Sequence, residues 1–575
     1  MANSSQPPLS RALHLLWLDG RDIAVLLAYN LATGILALGI PLASQALVNT
    51  IAQGLLLQPV IVLASAVFVG LLLSGALRVL QMLIVEFIHE RLLARQALTL
   101  ADRLPRALSG ALSHINCNRF LEVASLQKNW SKLLLDVPGA LVEIVVGLGL
   151  LALYGQSVWG PVLLFLGLGA SLHLLLGYGA VRAGTAESKA KYAVADWLQE
   201  MVDCRAGLKL NPSRPYWLQR TDELVVTYLT ARRRFFAVIL RQSALYYLSV
   251  ALVSAGILGV GGALVLNREL SLGQLVAAEL VVLNLLKAVE KLVRGTAAFY
   301  EVQVNLDKLA HLSDLPLERA DGQAMTASSQ GLAVRCRSLT FSHPGGPSLL
   351  NQLDLEIPAG AKVGLLGPNG CGKSTLAELL IGTLEPQLGT VELDGQELRG
   401  IKLDSIRRQV GLATDHNEML EATLEENILL GRQVGAGDLR WALEASGLDE
   451  HLPWLPQGLR TPLLRQGRNL SRSQWQSVMV ARALLGTPRL LILDEAFTGI
   501  DEPKLEKLLE AIFDRFSAQT VLLISRRPEA IRRCQVIHIL HEGRIQESGS
   551  PQELARRPES LFSQFYPQCA RHAAV

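Results

Sequence analysis

Residues 367 to 375 read Gly367, Pro368, Asn369, Gly370, Cys371, Gly372, Lys373, Ser374 and Thr375. This is the GxxxxGK[ST] spacing of a loop that folds backbone N–H groups around phosphates. A short apolar run at 363–366 precedes it and a helical stretch at 376–381 follows, the strand-loop-helix context the pattern requires. Glycines permit the close turn, and the helix N-terminus adds a favourable field. Lys373 is placed to neutralise β/γ oxygens and Ser374 to reach Mg2+. A second cluster follows the apolar run 490–493, where Asp494 and Glu495 stand side by side. A buried parallel strand would deliver both carboxylates to the edge where α/β folds place ligands. Asp494 suits Mg2+ held through water. Glu495 is the candidate base that orients an attacking water.

The 575 residues exceed what one hydrophobic core supports and suggest three or four domain-sized units. Only 18% of the residues are charged, against roughly 25% in an average soluble domain, and the deficit lies before residue 300. Six apolar stretches there reach about the 20 residues that cross a bilayer as helices: 23–47, 60–84, 140–156, 158–178, 238–266 and 272–289. The connections after the first, third and fifth carry almost no charge, only Arg268 and Glu269 in the fifth. Those after the second and fourth are long, basic and helical in pattern, with Arg91, Arg95, Arg103 and Arg106 in one and Arg182, Lys189, Lys191 and Arg232 in the other. The positive-inside rule therefore puts both termini in the cytoplasm. Breaks at 116–118 and 211–213 read as the tips of two long helical extensions. The polar stretch before Asp22 lacks an apolar core with a cleavage site, so the first apolar segment is read as a retained span.

Arg78, Glu143, His173, Glu279 and Asn284 fall inside these stretches. A charge there is costly and faces a bundle interior or a wet cavity, so such groups either line a path or pair with one another and snorkel. A formal net charge of +3, spread along the chain, makes no case for a nucleic-acid partner. The six cysteines have no metal-ligand spacing and are read as reduced thiols.

From about residue 331 short apolar strands alternate with helical stretches, the pattern of an α/β domain. The expected organisation is a cytoplasmic segment 1–22, a helical transmembrane domain 23–312, a polar linker 313–330 and an ATP-binding domain 331–575. Just before the Asp494 strand lies Leu470, Ser471, Arg472, Ser473 and Gln474. This run resembles the LSGGQ signature of ATP-binding cassette (ABC) transporters, and the layout of the whole chain resembles a half-transporter of type I exporter architecture. The segments 40–53 and 272–280 look most like exporters of type I secretion and bacteriocin systems, here without room for a leading peptidase domain. The resemblance implies six transmembrane helices joined to an α/β P-loop NTPase domain with a helical subdomain. It also implies ATP and Mg2+ at the site, a bacterial inner-membrane location in contact with lipid, and a homodimer or heterodimer of half-transporters. A periplasmic adaptor is admitted as a further partner. In this family two cassettes stack head to tail, each ATP lying between one chain's phosphate loop and the other's signature.

Several family positions are altered. Both signature glycines are replaced, by Arg472 and Ser473, at places where close backbone approach to the opposing γ-phosphate is needed. The switch-histidine position carries Arg526, a fixed charge that does not titrate near neutral pH. The Q-loop glutamine falls on Asp415, the acidic residue upstream of the signature falls near Arg465, and the adenine-stacking aromatic becomes His343. The D-loop is kept in altered form through Asp501. Arg526 belongs to the site built on this chain's own phosphate loop, whereas Arg472 and Ser473 enter the partner's. The resemblance thus implies an export ATPase with bound nucleotide and slow or altered turnover. The alternative is an ATP-binding regulatory or structural subunit with little hydrolysis.

Overall fold

The computed structural model describes Ser10, His14 and residues 17–52, 57–108, 120, 122–154, 156–211, 213–326, 328–414, 418–498, 500, 502–557 and 559–565. The chain divides into two compact units at Pro316 and Leu317, so most of the stretch 313–330 lies with the second. The break at 116–118 falls outside the described residues.

The first unit is helical: Gly20–Ala37 (α1), Gly39–Ala52 (α2), Leu57–Arg103 (α3), Glu122–Ala152 (α4), Gln156–Leu176 (α5), Ala180–Asp203 (α6), Arg205–Leu210 (α7), Arg214–Leu266 (α8) and Leu272–Ser313 (α9). By length and composition five of its helical spans are able to cross a membrane among the described residues: Gly20–Ile51, Gln58–Arg106, Glu122–Ala152, Arg214–Leu266 and Leu272–Ala310. Helix α5 occupies the fourth expected stretch but is not one of those five. The first span is offset between α1 and α2, because Pro41 has no N–H with which to continue the ladder from Ala37. Helix α4 starts at Glu122, well before its apolar part, and its third expected stretch ends in a turn at Leu153 and Tyr154. The expected break at 211–213 separates α7 from α8. At 47 and 53 residues, α3 and α8 run for roughly 70 and 80 Å, more than twice the ~30 Å hydrocarbon thickness.

Helices α4 and α9 pack against each other along much of their length, and glycine sets their approach. A Cβ at Gly147 would lie 2.7 Å from Leu285 Cδ2, and one at Gly295 would lie 2.5 Å from Val137 Cγ2. Small residues at such crossings let apolar helices touch closely. Ser271 and Gln274 cap the start of α9 reciprocally: Gln274 N donates to Ser271 Oγ at 3.1 Å and Ser271 N to Gln274 Oε1 at 2.8 Å. Of the polar groups within the apolar stretches, Glu143 accepts from Lys291 Nζ at 2.8 Å on both oxygens. His173 Nε2 meets Thr296 Oγ1 at 3.1 Å. Arg78 and Asn284 are exposed, and Glu279 is half-buried with no partner among the described residues.

Outside the apolar stretches, buried Glu122 binds α4 to its neighbours through Lys191 Nζ (3.2 Å) and Lys308 Nζ (3.0 Å) and a hydrogen bond from the Tyr192 hydroxyl. Burial pushes the Glu122 carboxyl up, but the bonds from Tyr192 and Lys308 and the charges of Lys308 and Lys191 outweigh it, holding the carboxyl below the usual range. A folded pKa below the unfolded one means stability that is complete above the unfolded pKa, near 4.3, and is lost as pH falls through the lowered folded value. Glu122→Gln is therefore expected to lower the thermal midpoint equally at every pH between 6 and 8. Acid titration of the parent protein should close that gap only below about pH 4.

The second unit holds two sheets. Strands Val334–Ser342 (β1), Ser348–Ile357 (β2), Leu388–Leu393 (β4) and Gln396–Glu397 (β5) form an antiparallel sheet in the order β2-β1-β4-β5. Strands Lys362–Leu366 (β3), Val410–Ala413 (β6), Leu490–Asp494 (β7), Thr520–Ile524 (β8), Val536–His541 (β9) and Arg544–Gly549 (β10) form the other, in the order β10-β9-β3-β8-β7-β6. It is parallel except for β10. Strands β3, β7 and β8 are buried along their whole length, as their unbroken apolar runs require. One core lies around Leu350, Leu365, Leu376 and Ile492; the other joins Leu491, Leu509 and Phe516 to the small helices through Ile428 and Val478.

Buried Arg489 ties the start of this unit to both sheets. Its guanidinium donates to Gln330 O (2.7 Å), Gly331 O (3.2 Å), Gln409 Oε1 (3.2 Å) and Asp394 Oδ2 (2.5 Å). Hydrogen bonds to charged groups are worth roughly 1.5–3 kcal/mol, so Arg489→Met is expected to destabilise the unit by about 2 kcal/mol or more in chemical denaturation.

Candidate nucleotide site

Strand β3 ends at Leu366, and the chain turns through Gly367 to Gly372 into the helix Lys373–Leu380 (α10). Two glycines make the turn possible. At Gly367 the backbone passes so close to Leu540 O that an added Cβ would lie 2.1 Å from it. Gly372, at φ 104°, is the left-handed residue that precedes α10, and a Cβ there would meet Leu350 Cδ2 at 2.9 Å. No side chain caps the N-terminus of α10. Lys373 Nζ folds back to donate to Gly367 O and Pro368 O, each at 2.9 Å. Burial pushes the Cys371 thiol up, against the pull of the neighbouring Lys373, so it is a neutral part of the loop.

The parallel sheet brings the second cluster alongside. Strand β7 pairs with β8, Asp494 standing opposite Ile524, and β8 pairs in turn with β3. Asp494 is almost fully buried at the end of β7. Glu495 leaves the strand in a left-handed conformation, φ 48°, fixed by its N–H on Ile524 O at 2.8 Å. A non-glycine residue in that region is a local strain of the kind found at functional sites. Arg526, two residues beyond β8, donates from Nε to Glu495 Oε1 at 3.0 Å. The side chain is half-exposed and the carboxylate largely covered. The arginine at the histidine position and the candidate base are therefore one ion pair.

Sequence reasoning missed the neighbour Arg527, which donates to Phe497 O at 3.1 Å and to Ile500 O, holding the chain just before Asp501. Nothing in its spacing marks it; only the fold brings it to the loop after β7. Asp501 and Asp415 lie outside the described residues.

The signature begins the helix Arg472–Leu484 (α14 in chain order, after Leu403–Arg407, Leu424–Leu429 and Ala436–Ala445 as α11 to α13). Leu470 packs on the core, and Ser471 is the N-cap. Ser471 N donates to Gln474 Oε1 at 2.8 Å and Gln474 N to Ser471 Oγ at 3.3 Å, a complete capping box. The two retained signature residues thus start the helix, and the two replacements occupy its first two positions. Arg472 is exposed there, a cation at the positive end of the helix dipole. Ser473 Oγ lies 3.1 Å from Ser471 Oγ. Arg465 is exposed in a 3-10 turn upstream. His343 is exposed in the hairpin between β1 and β2, edge-on to Phe341 with ring centroids 5.1 Å apart.

With this geometry in place the comparisons are specific: residues 350–498 match the ABC transporter family. That match takes in the phosphate loop, Asp494 and Glu495. Sequence relatives include the alpha-hemolysin translocation ATP-binding protein HlyB of Escherichia coli, 29% identical over 311 residues, or 54% of this chain and 44% of the relative. The Toxin RTX-I translocation ATP-binding protein of Actinobacillus pleuropneumoniae is 28% identical over 370 residues, 64% of this chain and 52% of the relative. ABC transporter B family member 1 of Arabidopsis thaliana is 32% identical over 320 residues, 55% of this chain and 25% of the relative. The chain spans about half or less of the length of these relatives. In fold it is similar to a bacterial Atm1-family ABC exporter solved with ATP bound, at a TM-score of 0.84 and 20% identity, covering 96% of this chain and 98% of that one. The exporter fold, a helical membrane unit with an α/β cassette, is thereby established for nearly the whole chain.

Proposed function

We propose that the chain is half of an ATP-driven membrane exporter, a slow ABC-type ATPase. Two cassettes would sandwich MgATP and couple its binding and hydrolysis to alternating access of the membrane helices. The observation that carries this reading is an intact phosphate loop, 367–375, in one chain with helices of the exporter fold. The loop fits a nucleotide: its glycines permit turns that a Cβ would block, and α10 starts without a side-chain cap, leaving N–H donors for an anion. Lys373 would leave its two loop carbonyls to hold phosphate, with Gly370, Cys371 and Thr375 supplying loop backbone and His343 stacking on adenine. Ser374 and Asp494 would hold Mg2+, which when bound neutralises phosphate charge. Leu470 to Gln474 would act on the partner's site, with Asp415 and Asp501 at the Q-loop and D-loop positions. The assembly would be a homodimer or heterodimer in a bacterial inner membrane, with both termini cytoplasmic, lipid around the helices and room for a periplasmic adaptor. The exported cargo would be a peptide or protein.

Slow turnover follows from one contact. Arg526 already occupies an oxygen of the carboxylate that would orient water, and general-base action contributes about 10²–10⁴-fold where it operates. The same contact favours a second reading, a regulatory or structural subunit that binds ATP without routine hydrolysis. Glu495→Gln separates the two in purified, reconstituted protein. The exporter reading expects the residual ATPase rate to fall at least about tenfold with ATP still bound. A rate unchanged by the substitution leaves the binding subunit as the surviving reading.

A further inference from the structure

A left-handed backbone at a residue other than glycine persists only where its surroundings over-determine it. Glu495, at φ 48°, is such a residue, and the stretch that ends strand β8 supplies a hold on either side of it. On its N-terminal side its N–H donates to Ile524 O at 2.8 Å. On its C-terminal side the chain is gathered by Arg527, whose Nη1 donates to Phe497 O at 3.1 Å and to Ile500 O. Ile500 N donates to Phe497 O at 3.2 Å, so one guanidinium nitrogen spans both ends of that turn.

Arg527 is itself fixed. Its N–H donates to Ser525 Oγ at 3.2 Å, and its carbonyl accepts from Ile531 N at 3.3 Å. A planar guanidinium on a fixed backbone holds its donors in set directions, and its bonds are stronger than those of a neutral donor. The loop does not depend on this clamp for its attachment, because the buried side chains of Ala496 and Phe497 join the core that contains Leu491 and Phe516. What the clamp sets is the course of the backbone leaving Glu495, and with it the direction of the carboxylate. Arg526 acts on the same glutamate by another route, through the carboxylate oxygen at 3.0 Å.

We propose that Arg527 is a positioning residue for ATP hydrolysis, holding Glu495 in its left-handed conformation by gripping the carbonyls of Phe497 and Ile500 beyond it. This role rests on the exporter reading, in which Glu495 orients the attacking water. The two adjacent arginines then do opposite things to one base: Arg526 occupies its oxygen, and Arg527 aims it. A cation alone does not suffice for the second task, since lysine keeps the charge but presents a flexible point donor in place of the rigid plane.

The test uses the full chain, purified and reconstituted. Arg527→Met removes the guanidinium and keeps an apolar stem. It is expected to lower kcat by about tenfold, with KM for ATP within about twofold of the parent. In a Glu495→Gln background the same substitution should change the residual rate by less than about twofold, because aim no longer matters once the base is gone. A merely structural role lowers both backgrounds alike. Hydrogen exchange reads the geometry without turnover: the amides of Glu495 and Ile500 should exchange at least about tenfold faster in Arg527→Met, and those of β3 and β7 as in the parent. Arg527→Lys should resemble Arg527→Met, and it takes that variant's place in every arm should Arg527→Met fail to fold. An unchanged kcat, equal losses in the two backgrounds, or unchanged exchange at Glu495 and Ile500 removes Arg527 from this role. If Glu495→Gln alone leaves the parent's rate unchanged, the hydrolytic reading has failed, and exchange alone decides whether Arg527 holds Glu495.

Discussion

Exchanging Arg526 for histidine is expected to raise ATP turnover by roughly tenfold or more at saturating MgATP, with little change in nucleotide affinity. The guanidinium sits on Glu495 Oε1 at 3.0 Å, and Glu495 is locked onto Ile524 O by its own N–H. Any water at this carboxylate shares it with a fixed positive charge, and an arginine does not shed that charge by losing its proton. Histidine is shorter and titrates near neutrality, so it frees the oxygen and restores a group able to contact phosphate. Steady-state phosphate release by the reconstituted protein measures the effect. A kcat at or below that of the parent would show that the ion pair does not limit the reaction.

The second large effect is expected from Arg472→Gly combined with Ser473→Gly. The capping box of Ser471 and Gln474 does not depend on either position, so α14 should still start where it does. Two glycines in its first turn cost at most about 1–2 kcal/mol of local stability. What returns is close backbone approach and the removal of a cation from the positive end of a helix, and kcat should rise by about tenfold. Combining these changes with Arg526→His also reports the assembly. In a homodimer every composite site would carry both repairs, and the gains should multiply toward about a hundredfold. In a heterodimer the repairs would fall in different sites and the gains should add. The ratio of the triple variant's rate to those of its components distinguishes the two.

The phosphate loop, the Asp494 strand and the apolar stretches were legible because each depends on local spacing. A GxxxxGK[ST] run between an apolar strand and a helix can do little else, and five consecutive buried positions at 490–494 carry no alternation to confuse them. Helix ends were less legible. Apolarity begins at 140 but α4 begins at Glu122 and runs on through Pro138, since a helix needs no apolar run to continue, in water as in lipid. Pairings across the fold were not legible at all. Glu143 finds Lys291, 148 residues away, and Glu495 finds Arg526 only because β7 and β8 are neighbours. Arg526 was visible as a missing histidine, but its hold on the base was not. The signature illustrates the reverse. Ser471 and Gln474 read as survivors of a catalytic motif, yet their geometry here is that of a helix start, a capping box open to any helix.

Helix α8 carries a consequence of its own. Its proline lies in the first turn and its 53 residues continue without a break, so it has no joint at which motion could be absorbed. Its apolar part, 238–266, accounts for about 44 Å and the remainder for about 36 Å at 1.5 Å per residue. A rod pivoting where those parts meet is a seesaw with nearly equal arms. A tilt of about 5° moves each end by some 3–4 Å, in opposite directions.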